Sequence, residues 1–74
     1  MSLNRIDDVF MLQVRLFMLA QKRWGKDIAE CEKIFEEYEI NDYIKTSYEE
    51  FHVQGDEANM LDIEEYLRRK GANI

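Results

Sequence analysis

Apolar residues recur along this chain at the three-to-four-residue spacing of amphipathic helices, in four blocks separated by glycines or helix-starting polar residues. In the first block, from about Asn4 to Arg23, a wheel of about 100° per residue puts Ile6, Val9, Phe10, Leu12, Leu16, Phe17, Leu19, Ala20 and Trp24 on one broad face. Met11, Val14 and Met18 carry that face round to a second side and leave a narrow polar strip of Asp7, Asp8, Arg15 and Lys22. A helix this apolar is either the centre of a bundle or half of an oligomer interface. Gly25 ends it.

The second helix opens on Asp27-Ile28-Ala29-Glu30, a capping-box pattern in which each acidic side chain takes the other's backbone N–H. Ile28, Cys31, Ile34, Phe35 and Tyr38 form its inner face, and Glu30, Glu32, Lys33, Glu36 and Glu37 its outer one. After a tight connection over Glu39 to Asn41, a third helix starts near Asn41, a good N-cap. Its inner stripe is Tyr43, Ile44, Ser47, Tyr48 and Phe51, and it ends before Gly55. The fourth begins between Asp56 and Met60, places Met60, Leu61, Ile63, Glu64 and Leu67, with Tyr66, on one largely apolar face, and ends on Arg68, Arg69, Lys70 and Gly71. The pattern predicts an all-α fold: one compact four-helix domain over residues 1–74, with a long, strongly apolar first helix as its spine. Met1-Ser2-Leu3 reads as a leader left by cloning.

A 74-residue chain buries only about 60% of its unfolded surface and is marginally stable alone. Cys31 is the single cysteine and His52 the single histidine, so neither a disulfide framework nor a zinc site is expected. A partner chain, or a second copy in a homodimer, is the remaining source of stability. The lone cysteine suits a reducing compartment, and Asp7 and Asp8 stand where an export signal is basic. The expected location is therefore the cytoplasm. No apolar run approaches the ~20 residues that span a bilayer.

The net charge of −6 is unevenly spread: +3 from Met1 to Lys26, −12 from Asp27 to Tyr66 and +3 from Leu67 to Ile74. An acidic middle repels phosphate backbones. The second and third helices are short and closely joined, as in a helix-turn-helix, but the third carries Asp42, Glu49 and Glu50 against Lys45 alone. No nucleic-acid partner is expected.

His52 lies between Phe51 and Val53, with no nucleophile in reach along the chain; it suits the electrostatics of a helix end. Cys31 lies on the inner stripe with Glu30 and Glu32 beside it, a setting that opposes a thiolate. The carboxylates around Glu36 and Glu37 show neither calcium-loop spacing nor an acid–base pair in a cleft; they form a solvated face that is also suited to a basic partner. No catalytic, metal or cofactor residue is assigned, and the chain is not read as an enzyme. The Met11, Val14, Met18 stripe has two readings, core or partner surface, and flexible methionines favour adaptable contacts. The candidate partner interface is Met11, Val14, Met18, Glu36 and Glu37.

The run Ile34-Phe35-Glu36-Glu37-Tyr38-Glu39-Ile40-Asn41-Asp42-Tyr43-Ile44 resembles the central block of a small bacterial family called domain of unknown function 3791. Phe51-His52-Val53-Gln54-Gly55 and Leu61-Asp62-Ile63-Glu64-Glu65-Tyr66-Leu67 are similar too, so the resemblance covers roughly Phe17 to Gly71, His52 included. It implies a short helical bacterial protein without assigned activity, often encoded beside a larger protein resembling an ADP-ribosyltransferase, and hence an accessory or antitoxin-like partner. The expected function is a protein–protein interaction module. The alternatives are a small DNA-binding regulator and an enzyme subunit using His52.

Overall fold

The computed structural model describes residues 5–74. The leader assigned to Met1-Ser2-Leu3 and the helix start at Asn4 lie outside those residues. Five helices follow in order: α1 Arg5–Trp24, α2 Ile28–Glu37, α3 Ile40–Thr46, α4 Tyr48–Phe51 and α5 Asp56–Arg69. No strand occurs among the described residues. The all-α class is as expected, but the count is five rather than four. The third predicted helix breaks at Ser47, whose N–H still closes onto Tyr43 and whose carbonyl then accepts from both Glu50 and Phe51. The chain thus changes direction there without leaving a helical hydrogen-bond pattern.

Local chemistry accounts for the boundaries. α1 carries Asp7 and Asp8 in its first turn and Lys22 and Arg23 in its last, each opposing the local end of the helix dipole. It stops at Gly25, whose φ of +62° is open to a residue without Cβ. The capping box of α2 is present: Asp27 Oδ1 accepts from the Glu30 N–H at 2.8 Å, and Glu30 Oε1 from the Asp27 N–H at 3.0 Å. α2 ends at Glu37; after Tyr38 comes Glu39, left-handed at φ +53°, ψ +46°, and α3 begins at the next residue, Ile40. The expected cap at Asn41 is therefore one residue inside the helix.

Leu12, Leu16 and Ala20 of α1 form the core with Phe35, Ile40, Ile44, Phe51, Met60, Ile63 and Leu67. Every helix contributes, and α1 is the spine against which α2, α3 and α5 pack. It is not buried on all sides, however. Ile6 and Phe10, expected on its inner face, are 75% and 59% exposed. Ile28 of α2 and Leu61 of α5, also expected inside, are exposed as well. One helix in a 74-residue bundle has neighbours for only part of its circumference, so a broad apolar face is not wholly covered.

Two arginine contacts set the alignment of α1 and α5. Arg15 forks onto Asp56 at 2.9 and 3.0 Å, and two turns on Arg23 reaches Glu64 at 2.8 Å and Glu57 at 3.1 Å. The two helices therefore run in the same direction. The Arg15 pair is largely exposed and adds little stability. Glu64 is different: only 13% of its side chain is exposed, and it also accepts from Trp24 Nε1 at 2.9 Å. The Arg23 hydrogen bond, opposed by burial and aided by the Trp24 bond, holds the Glu64 carboxyl below the usual glutamate range.

A carboxyl depressed in the folded state stabilises above its unfolded pKa of about 4.3 and loses that stabilisation as pH falls through its folded value. Glu64→Gln is thus expected to cost about 1–2 kcal/mol at pH 7, and the gap to the parent chain should close below about pH 4. Urea unfolding followed by fluorescence of Trp24, the single tryptophan, measures this at both pH values. A gap that persists at low pH would assign the loss to packing instead.

Candidate functional site: an apolar groove with an acidic rim

α1 and α2 form an antiparallel pair. Phe35 of α2 meets Phe17 edge-on at 5.0 Å and lies 6.3 Å from Trp24, while at the other end Gln13 Nε2 donates to the Asn41 carbonyl at 2.9 Å. Between them an open groove of about 620 Å³ runs along α1. Phe10, Val14 and Phe17 form its α1 wall, at i, i+4 and i+7, and the nearly buried Phe35 closes the bottom. The opposite rim carries Glu32, Glu36, Glu39 and Asp42, all exposed. No lysine or arginine lines the groove. Glu32 and Glu36 stand one turn apart on α2, and Glu39 and Asp42 follow beyond its end, so an acidic rim faces an aromatic and aliphatic wall.

The apolar wall continues beyond the groove. Ile6, Phe10, Val14 and Met18 fall on one ridge of four-residue steps, about 18 Å long at 1.5 Å per residue. Met11 flanks the ridge, and Ile6, Phe10, Met11 and Met18 are each more than half exposed. Soluble chains seldom present large apolar side chains side by side along one helix, and such patches mark interaction surfaces.

Of the residues proposed from sequence, Val14 and Glu36 meet across the groove. Met11 and Met18 lie outside its lining on the exposed side of α1, and Glu37 is exposed but off the rim. The core alternative for Met11 and Met18 is thereby excluded. Phe10, Phe17, Phe35, Glu32, Glu39 and Asp42 belong to the groove and were missed. The three phenylalanines were indistinguishable from core residues by spacing. The i, i+4 run through Phe10, Val14 and Met18 was the available signal.

Glu39 is the one non-glycine residue with positive φ among those described. Left-handed backbone costs a side-chain-bearing residue about 1–2 kcal/mol, and such strain often sits at functional positions. Glu39→Gly should relieve it and raise the melting temperature by about 3–5 °C, net of the entropy glycine loses on folding. The same change removes a rim carboxylate. Differential scanning calorimetry tests the first effect; a lower melting temperature would mean that the Glu39 side chain holds the turn.

The other reactive side chains are outside the groove. Cys31 is fully buried, and burial, with Asp27 and Glu30 adding to it against Lys26, pushes its thiol up. His52 stacks on Tyr48 at 4.8 Å and has Nε2 3.8 Å from Glu49, both within its own turn. Among the described residues no three His, Cys, Asp or Glu side chains converge so as to hold a metal. No helix there is long and apolar enough to cross a membrane.

The sequence profile of the family described as Protein of unknown function (DUF3791) matches residues 12–70 of the 74. The chain belongs to that family. No curated protein and no solved structure matches it. The DUF3791 span takes in Val14, Phe17, Phe35 and the whole acidic rim, while Ile6, Phe10 and Met11 precede it.

Proposed function

We propose that this DUF3791 chain is a protein–protein interaction module whose docking surface is the groove between α1 and α2, extended by the apolar ridge of α1. The observation that carries this reading is the ridge itself: Ile6, Phe10, Met11 and Met18 are exposed beside a groove whose charged residues are all acidic. Burial of that ridge would supply affinity, and the rim would select the partner and speed its encounter. An accessory or antitoxin-like role, in the cytoplasm of a bacterium, requires such a surface for a neighbouring enzyme.

A DNA-binding role has less support. The acidic rim repels phosphate, and Arg15, Arg23 and Arg68 are each engaged by a carboxylate. A catalytic role for His52 also has less support, because His52 does not line the groove.

The test is affinity co-purification from the native host with the parent chain and with Met18→Glu. Met18 is 60% exposed, so the variant is expected to fold, with stability within about 0.5 kcal/mol of the parent. Circular dichroism and light scattering verify its fold and mass. A stoichiometric partner that the parent holds and the folded variant loses supports the proposal. A partner held equally by both, or none with the parent, overturns it.

A further inference from the structure

Resting on that proposal, we infer that the occupant of the groove is a cationic amphipathic α-helix of another protein, lying along α1 with its apolar stripe on the ridge and its Lys or Arg residues toward Glu32, Glu36 and Glu39. Both walls of the groove are helical, and the ridge of four-residue steps is the kind that interdigitates with the side chains of a crossing helix. Its length of about 18 Å matches a partner segment of about three turns. Glu32 and Glu36 stand one turn apart on the exposed face of α2, so cations at i and i+4 of one incoming helix meet them in register, and Glu39 and Asp42 prolong the acidic rim beyond the end of α2. Glu39 follows the pair Glu32 and Glu36 on the left-handed turn that leads into α3.

A second copy of this chain fits poorly. Asp7 lies on the ridge side of α1, between Val14 and Met18 on the wheel, so a face-to-face pair adds acid to acid. The basic end of α5 is unavailable as the occupant, because Met60, Ile63 and Leu67 are already buried in the core. Anionic lipid surfaces are repelled by the rim.

The probe is a fluorescein-labelled peptide of about 18 residues made of leucine and lysine, with leucines at i, i+3, i+4 and i+7. Its controls are a scrambled sequence and a leucine–glutamate version with the same stripe. Fluorescence anisotropy is expected to show the leucine–lysine helix binding at micromolar Kd, at least about tenfold tighter than either control. Phe10→Glu should weaken it by about tenfold or more, and the double variant Glu32→Lys, Glu36→Lys should turn preference toward the leucine–glutamate peptide. Both variants alter exposed residues, and circular dichroism checks their fold. Amide shifts on titration should centre on Phe10, Val14 and Phe17. Equal binding of the scrambled peptide, or shifts centred elsewhere, overturns the inference. If the partner lost by Met18→Glu is not displaced by the leucine–lysine helix, the interaction module stands and the helical occupant falls. If no partner depends on Met18, the module itself falls whatever the peptide does.

Discussion

Phe35→Ala is expected to cost about 3–5 kcal/mol, the range for emptying a buried phenylalanine site. A chain of this length has about 4–11 kcal/mol in total, so the variant should be largely unfolded on mild heating. Phe35 is 5% exposed and joins three parts of the molecule: it is edge-on to Phe17, tilted against Trp24, and at the bottom of the groove. Its removal takes away the aromatic contacts that α2 makes with Phe17 and Trp24 of α1. Thermal unfolding by circular dichroism reads the loss. Phe35→Leu, which refills most of the volume, should recover more than half of it. A loss below about 1 kcal/mol for the alanine variant would mean that α1 and α2 collapse onto each other and that the groove has no rigid floor.

Asn59→Asp should be the most damaging polar substitution. Asn59 is fully buried; its Nδ2 donates to the Phe51 carbonyl at 3.0 Å, and its Oδ1 accepts from Gln54 at 2.8 Å. The amide thus ties the last turn of α4 to α5. Alanine removes both bonds and leaves the Phe51 carbonyl without its side-chain donor, at about 2 kcal/mol. Aspartate keeps the shape but at pH 7 must either turn a charged oxygen toward that carbonyl or hold a proton against its normal pKa. Its folded pKa would be raised above the unfolded value, so its penalty is largest above about pH 4 and shrinks as pH falls below that. Urea titrations at pH 7 and pH 4 of the parent, alanine and aspartate chains separate the cases. An aspartate variant as stable as the alanine one at both pH values would show that solvent reaches this corner.

α4 and α5 therefore meet through a polar residue that no periodicity marks. Asn59 sits between Ala58 and Met60 in a helix whose buried face is otherwise apolar. A polar residue in such a run normally faces solvent, and only the approach of the Phe51 carbonyl turns it inward. Ser47 is a similar case: a helix break without proline or glycine, made by how Ile44 and Phe51 both reach the core.

Much else was local and hence legible. The capping box at Asp27, the stop at Gly25, the end of α5 and the inward stripe of Cys31 and Phe35 follow from short-range hydrogen bonds, backbone freedom and helical period. The acidic middle and the two-sided apolar surface of α1 were also written in the residues themselves. Which of those apolar residues would be covered was not. Leu16 and Phe10 are equally apolar and both lie on α1, yet one is fully buried and the other 59% exposed. The difference arises because α2, α3 and α5 cover a limited arc of α1, and hydrophobicity alone does not say where neighbours stop. The groove has the same origin. Its lining comes from α1, α2 and the start of α3, and its rim crosses the left-handed turn at Glu39, so it exists only once α2 and α3 are folded back along α1.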